Sequence, residues 1–379
     1  MKKMRLAAAV AFAAAMAMSV TAMADDTFKI GGIGPLTGGA AIYGNAVMNA
    51  AQIAVDEINE AGGIAGVQVE FMPQDDEHDA EKSVSAYNKL KDDGMQILLG
   101  TVTSTPCVAV SAEAANDNLF LLTPSGSSPD AIAAGDNAFR ICFSDPDQGY
   151  ASAQYIEEHQ LAKKVGVIYN SSDVYSTGIL ATFQAGAAEA SFELLDPQAF
   201  TDDSKTDFSA QLQYLKDNGA ELVFLPIYYD AASVILTQAA GMDFAPIWFG
   251  VDGMDGILTM EGFNYDLAEG VMLLTPFSAD AEDELTQNFV ASYQDKYGEI
   301  PNQFAADAYD GIYTIKAAIE QAGVTPDMSI SDICDGLKAA MTEIEVTGVT
   351  GTMTWTADGE PNKSPKAVVI ENGVYVSAE

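Results

Sequence analysis

Short apolar runs alternate with amphipathic segments along most of the chain, and this alternation constrains the fold more than any other feature. The runs FKIGGIG, MQILLG and LFLLT are typical of buried strands. The segments AVMNAAQIAVDEINEAGG and AEKSVSAYNKLKDDG have the apolar spacing of helices, and each ends in glycine. Because helices separate successive strands, we predict a parallel sheet that is covered on both faces.

The same alternation restarts after AFRICFSDPDQG, with KVGVIYN, ELVFLPIYY and PIWFGVD as the next strands. No residue-level repeat links the two stretches, so only the architecture recurs. A chain of 379 residues is also too long for one ordinary core. We therefore predict an α/β protein with two doubly wound parallel sheets.

The charge of the chain excludes one class of partner. Lys and Arg number 17 and Asp and Glu 55, which gives a formal net charge of −38. Such a field repels nucleic-acid phosphates and anionic lipids, so no nucleic-acid partner is expected.

Residues 1–24 have the features of a cleaved signal peptide. Lys2, Lys3 and Arg5 precede an apolar stretch over 6–20, and Ala22-Met23-Ala24 fits the small-x-small cleavage rule. The apolar stretch is short for a bilayer span, which needs about 20 residues, and no later segment is apolar enough. We expect an exported, periplasmic protein with no membrane insertion.

Export permits disulfides, but only Cys107, Cys142 and Cys334 are present. An odd count allows at most one intramolecular bridge, and the sequence leaves open whether any pair forms it.

Polar loops follow the predicted strands at their carboxyl ends. In open α/β sheets, ligands bind in the crevice beyond these ends, so we expect the loops of both halves to face one cleft that holds a small polar ligand. Helix capping is the alternative role for any single serine or threonine among them. The loops are PLTGGAAIYG, TVTSTP, TPSGSSP, NSSDVYS, PIYYDA and GVDGMDG.

The sequence gives little support to an enzyme, a metal site or a cofactor site. Its two histidines, His78 and His159, have charged neighbours and are predicted to be solvated. The motifs HExxH, GxSxG, CxxC and the P-loop are absent. The segment DDEHD lacks the spacing of a calcium loop and is predicted to be a hydrated loop before a helix. In GGIGPLTG, Thr37 replaces the third glycine of a dinucleotide fingerprint.

Four segments in order resemble one family, the periplasmic branched-chain amino acid binding proteins of ABC importers, which have the type I solute-binding fold. They are IGGIGPLTGGAAIYGNAVMNAAQIAVDEINEAGGIAG, DDEHDAEKSVSAYNKLKDDGMQILLG, LLTPSGSSPD and FRICFSDPDQG. The resemblance implies two lobes that close over an amino acid and deliver it to a membrane permease. It implies no catalytic residue, metal or cofactor, and we expect a monomer.

The resemblance also implies residues that hold a zwitterion, whose two charges must both be met in a closed cleft. Ser104, with its hydroxyl, and Ser127, with its N–H and hydroxyl, would bind the ligand carboxylate. Asp252 and the Ser125 carbonyl would bind the ammonium group. The aromatic residues that would close the site and line its side-chain pocket are Tyr43, Tyr175, Tyr228 or Tyr229, and Tyr309.

Three positions depart from the family pattern. Asp252 is one methylene shorter than the usual glutamate, and Tyr43 stands where some members have tryptophan. His78 and Thr103 occupy positions where some members have a disulfide. The first two departures leave the preferred amino acid open between branched-chain and aromatic side chains.

The resemblance implies discontinuous lobes, 26–143 with 277–349 and 144–276 with 350–379, joined by a three-strand hinge. Two alternatives to an amino acid importer component remain. One is the same fold binding an amide, urea or another small carboxylate, and the other is a sensory receptor domain.

Overall fold

The structure of the protein is a computed structural model that describes residues 27–363 and 366–378. The first part of the chain forms five strands in one parallel sheet, in the order β2-β1-β3-β4-β5. This is a common order of doubly wound folds. The elements are β1 (Phe28–Gly34), α1 (Ala41–Glu60), β2 (Val69–Asp75), α2 (Ala80–Asp92), β3 (Ile97–Gly100), α3 (Ser104–Asp117), β4 (Phe120–Thr123) and β5 (Ala138–Arg140).

The second part of the chain builds another sheet. Its strands follow the order β15-β14-β11-β10-β9-β6-β7, and β8 also pairs with β6. The elements up to β11 are α4 (Asp145–Glu158), β6 (Lys164–Asn170), α5 (Val174–Ala187), β7 (Glu193–Leu194), β8 (Gln198–Phe200), α6 (Ser209–Asp217), β9 (Leu222–Leu225), α7 (Tyr229–Gly241), β10 (Ile247–Gly250) and β11 (Met272–Thr275).

After β11 the chain returns to the first sheet and then crosses back. Helix α9 packs on α1 and on strands β3 and β4, and α10 packs on α9. Of the last two strands, β14 pairs antiparallel with β11, and β15 pairs antiparallel with β14. These elements are α8 (Glu284–Tyr297), α9 (Gln303–Ala322), α10 (Ile330–Met341), β12 (Val346–Gly348), β13 (Gly351–Met353), β14 (Lys366–Glu371) and β15 (Val374–Ser377).

Alternate residues of the first sheet enter different cores, which is why helices cover both of its faces. Leu98 and Leu121 belong to an apolar cluster that includes residues of α2 and α3. Their neighbours Leu99 and Leu122 belong to a cluster that includes residues of α1 and α9. Successive strand residues point to opposite faces, so a run that is apolar throughout is buried on both sides.

We call the first sheet with α1–α3 and α8–α10 the first unit, and the second sheet with α4–α7 the second unit. The predicted α/β class with two parallel-stranded sheets is confirmed, with an antiparallel pair added at the edge of the second sheet. The exact lobe boundaries stay a prediction, and the predicted signal peptide lies outside the described residues.

Two further features bear on the predictions. Cys107, Cys142 and Cys334 are buried free thiols. Over residues 27–363 and 366–378, the structure contains no helix with the length and apolarity needed to cross a bilayer.

Candidate ligand-binding site

Loops at the carboxyl ends of strands from both units surround one small cavity. The first unit contributes the start of α1, the loops after β3 and β4, and the start of α9. The second unit contributes the start of α5 and the loops after β9 and β10. The lining residues are Tyr43, Val102, Thr103, Ser104, Ser125, Tyr175, Tyr228, Asp252, Gly253 and Phe304.

The start of α3 supplies hydrogen-bond donors on one side of this cavity. Ser104 is the first residue of the helix, and Thr103 before it makes no side-chain capping bond. The first N–H groups of a helix lack partners within the helix, and its N-terminus carries a partial positive charge. The Ser104 hydroxyl accepts from the N–H of Ser128 at 3.2 Å, so its own proton can be donated elsewhere. This edge of the cavity suits a carboxylate.

The loop after β4 closes against the start of α3. The Ser125 hydroxyl donates to the carbonyl of Val102 at 2.6 Å, which ties the two loops together. Ser127 lies behind this layer and does not line the cavity. Its carbonyl accepts from the N–H of Asp145 at 2.9 Å, and its buried hydroxyl has no hydrogen-bond partner within the described part of the chain.

The second unit contributes a carboxyl group, that of Asp252, to the same cavity. Asp252 follows β10 directly, is 4 % exposed, and accepts a 2.5 Å hydrogen bond from the Tyr175 hydroxyl at Oδ1. Burial raises the pKa of the Asp252 carboxyl to about 7, although hydrogen bonds from Tyr175 and Gly253 oppose the rise. Among the described residues, no Lys, Arg or His forms an ion pair with it. Such a buried carboxylate favours a positively charged ligand group.

Aromatic rings form much of the rest of the cavity lining. The ring centroid of Tyr43 lies 4.3 Å from that of Phe304 and 5.5 Å from that of Tyr228. Tyr228 in turn stacks on Tyr175 at 4.8 Å. The Tyr43 hydroxyl donates to the carbonyl of Gly253 and thereby joins the two units. Burial raises the pKa of Tyr43 well above its ordinary value, so its hydroxyl stays neutral and can donate.

Gly253 allows this close packing. A Cβ atom at this position would lie 2.5 Å from the Tyr175 hydroxyl oxygen and 2.9 Å from the Ile227 carbonyl oxygen. Only glycine therefore lets the turn after β10 approach Tyr175 closely enough for Asp252 to accept its hydroxyl.

The cavity is nearly closed. Its free space is about 10 Å³, which is room for roughly one water molecule. A larger ligand can enter only if the units separate or the aromatic rings move.

Comparison with known proteins identifies the family. The family model for periplasmic binding proteins matches residues 27–373. The chain belongs to the periplasmic binding protein family. The resemblance found in the sequence is thereby confirmed.

Individual relatives match over nearly the same span. A Leu/Ile/Val-binding protein homologue from Brucella melitensis is 32% identical over 326 residues, covering 85% of this chain and 86% of the relative. A leucine-, isoleucine-, valine-, threonine- and alanine-binding protein from Pseudomonas aeruginosa is 30% identical over 325 residues, covering 84% of each. The crystal structure of LivJ from Streptococcus pneumoniae in complex with isoleucine is 29% identical, with a TM-score of 0.85, and the match covers 93% of this chain and 99% of that one.

In this periplasmic binding protein, Tyr228 faces the cavity and Tyr229 lies behind it. The Tyr229 hydroxyl accepts from the N–H of Ile42 at 3.3 Å, and the backbone N–H of Tyr229 donates to the Tyr43 hydroxyl at 3.2 Å. Tyr229 therefore supports Tyr43, and of the two adjacent tyrosines only Tyr228 is among the residues that line the cavity.

The placement of Tyr309 in the site was wrong. Its hydroxyl donates to Oε2 of Glu57 at 2.6 Å, and its ring packs on Phe289 with the centroids 4.6 Å apart. The aromatic residue that α9 contributes to the cavity is Phe304. Five residues along a helix correspond to a rotation of about 140°, so Phe304 and Tyr309 face different sides of α9.

The prediction of a solvated surface for His78 was also wrong. The side chain is half-buried between the units, with its Nδ1 2.8 Å from the Thr103 hydroxyl and its ring 5.6 Å from that of Tyr228. His78 and Thr103, where the resemblance implies that a disulfide has been lost, are thus joined by a hydrogen bond. Nor is the DDEHD segment uniformly hydrated, because Asp76 is fully buried and accepts from the Ser83 hydroxyl at 3.1 Å.

Arg140 holds the loop after β4 in place without lining the cavity. The sequence analysis did not predict this role. The Arg140 guanidinium is fully buried and donates to the carbonyls of Gly126, Ser127 and Ser128, with the bonds to Gly126 and Ser128 both at 3.1 Å. It therefore fixes the loop whose N–H groups and hydroxyls approach the cavity. The sequence signal for a buried, structurally important arginine was its position in the otherwise apolar segment AFRICF.

Metal ligation has no support in the described part of the chain, where no three His, Cys, Asp or Glu side chains are grouped so as to hold an ion.

Proposed function

We propose that this periplasmic binding protein captures an apolar amino acid, branched-chain or aromatic, and delivers it to the permease of an ABC importer. One observation carries the proposal: the donors at the start of α3 and the Asp252 carboxylate face the same small cavity. Hydrogen-bond donors, a carboxyl group and aromatic rings around one cavity match an α-amino acid, which has a carboxylate, an ammonium group and a side chain on one carbon.

Each group of the ligand has a proposed partner. The Ser104 hydroxyl and the N–H groups at the start of α3 bind the carboxylate, and Asp252 with the Ser125 carbonyl binds the ammonium group. Tyr43, Tyr228 and Phe304 contact the side chain, and Tyr175 orients Asp252 through their hydrogen bond. Ser127 does not contact the ligand in this proposal; it helps to hold the loop after β4 against Ser104.

Asp252 also argues against the alternative ligands. A neutral amide or urea leaves a buried carboxylate without a counter-charge, and a small acid without an ammonium group adds a second negative charge beside it. Both arrangements are unfavourable in a buried site. The relatives named for leucine, isoleucine and valine, and the isoleucine complex of the Streptococcus protein, support the amino acid class.

Membership of the family supports a cellular role. We propose that the protein acts without enzymatic activity, as a monomer, after export to the periplasm and removal of residues 1–24. A sensory receptor role is the alternative, and an adjacent permease gene would favour import over sensing.

A thermal-shift screen over the amino acids, urea, acetamide and benzoate tests the proposal. Leucine, isoleucine, valine or phenylalanine should raise the melting temperature most, because burying such a side chain contributes about 1.5–3 kcal/mol. A ligand present at about 100 times its Kd stabilises the folded state by about 2.7 kcal/mol. A larger shift with glutamate, glycine, acetamide or benzoate would contradict the proposal.

Closure should be visible in solution. Tyr43 belongs to the first unit, and Tyr175 and Tyr228 belong to the second, so ligand contacts on both sides favour the closed form. Small-angle scattering is expected to show a smaller radius of gyration with saturating leucine than without ligand, and no change with glutamate. An unchanged radius with a ligand that calorimetry shows to bind would refute closure.

A further inference from the structure

A second and larger cavity lies between the two units, beyond the turn that carries Asp252. Asp252 lines the first cavity, and Asp255 at the end of the same turn lines the second. The second unit provides the loop 255–259, the end of β11 and the β14–β15 hairpin, and the first unit provides 277–280, α8 and the loop 299–302. The cavity measures about 460 Å³, within the range of about 300–1,000 Å³ that small-ligand sites occupy.

Most of its wall is apolar. Leu258, Phe277 and Val290 line it, together with two large apolar residues at its mouth that solvent reaches, Ile300 at 52 % and Val374 at 46 % exposure. Exposed apolar surface that lines a concave site is a mark of ligand or partner binding.

The charged groups of this cavity all have one sign. They are Asp255, Asp280 and Glu299, and no Lys, Arg or His is among the lining residues. Asp255 is 4 % exposed, and its Oδ2 accepts from the N–H of Gln303 at 2.9 Å. Its Oδ1 makes no hydrogen bond of standard geometry within the described residues. Burial raises the pKa of Asp255 to about 6, opposed by the hydrogen bond from the N–H of Gln303 and by the nearby Tyr375 hydroxyl.

We propose that this cavity is a second ligand site, and that its ligand is a hydrophobic amine. The protonated amino group binds the Asp255 carboxylate, and the hydrocarbon lies along Leu258, Phe277 and Val374. The acidic wall excludes carboxylates, so the amino acid of the first cavity is a poor ligand for the second.

The two cavities share a structural connection. The N–H of Gln303 donates to Asp255, and its side-chain amide donates to the carbonyl of Asp252 at 3.1 Å. An amine on Asp255 therefore acts on the turn that holds Asp252 and on the start of α9, which carries Phe304. By thermodynamic linkage, amine and amino acid then change each other's affinity by the same factor.

Calorimetric titration with n-butylamine, n-hexylamine and n-octylamine tests the site, with hexan-1-ol and hexanoate as neutral and anionic controls. Affinity should rise by about fourfold for each added methylene, and both controls should bind about tenfold more weakly than hexylamine or worse. Equal binding of hexanoate, or no binding of any amine, would overturn the proposal.

Two exposed apolar positions provide matched variants. Ile300→Arg puts a cation at the mouth of the cavity and should weaken hexylamine binding by about tenfold or more. Leu285→Arg makes the same change at a 38 % exposed position outside the cavity and should alter binding by less than about twofold. If Ile300→Arg does not fold, Val374→Arg replaces it.

The amine titrations test the second cavity whether or not the first cavity binds leucine. Undiminished hexylamine binding in the folded Ile300→Arg or Val374→Arg protein would overturn the proposal. So would a loss of amine binding in Asp252→Asn but not in the Ile300 variant, because the amine would then occupy the first cavity.

Discussion

Replacing Asp252 with asparagine is expected to lower the affinity for leucine by about 30-fold to several-thousand-fold, because truncating one partner of a buried charge pair typically costs about 2–5 kcal/mol. Asparagine keeps the shape of the side chain and an oxygen that can accept from the Tyr175 hydroxyl, so the variant removes the charge alone. Calorimetric titration measures the loss, and melting curves establish that the variant folds.

Asp266→Asn is the matched control, since it removes the same charge from an exposed position in the same unit. Its affinity for leucine should stay within about twofold of the parent. If Asp252 only caps its own turn, Asp252→Ala would cost about 1 kcal/mol of stability and leave affinity unchanged. Binding by Asp252→Asn within about threefold of the parent would place the ammonium group elsewhere.

The affinity for leucine is expected to fall below pH 7, by about 50-fold between pH 7 and pH 5, with a slope that approaches about tenfold per pH unit well below pH 7. The pKa of Asp252 is raised to about 7 without ligand, so the carboxyl is increasingly protonated below that pH. The ligand ammonium requires the carboxylate, and binding must therefore release a proton. Above about pH 7 the carboxylate already exists, and the affinity should level off.

Calorimetry at several pH values, in buffers of different ionisation enthalpy, measures both the slope and the proton release. Asp252→Asn serves as the control, because it should bind weakly with little pH dependence over the same range. A flat profile in the parent protein, or the same slope in both proteins, would assign the titration to another group.

Much of the fold could be predicted because its signals are local. Apolar runs and helical spacing identify strands and helices, and their alternation selects parallel sheets with ligand loops at one edge. The antiparallel end of the second sheet was not predicted as a hairpin. Its turn residues Asn372 and Gly373, between two apolar runs, were a readable signal.

The site was less predictable because its details depend on packing between distant segments. The resemblance pointed to Ser104, Ser125 and Asp252, and the structure brings these three to one cavity. Whether α9 offers Phe304 or Tyr309 depends on the rotation of that helix against α1. The burial of His78 depends in the same way on contact between the units, which no neighbour in sequence reveals.

Calorimetric titration of the purified protein with L-leucine at pH 7.5 tests most directly whether the protein binds an apolar amino acid. We expect saturable binding of one leucine per chain, with isoleucine, valine or phenylalanine competing for the same site and glutamate and acetamide failing to compete. Absence of binding by all four apolar amino acids, or tighter binding of glutamate or acetamide, would contradict this expectation.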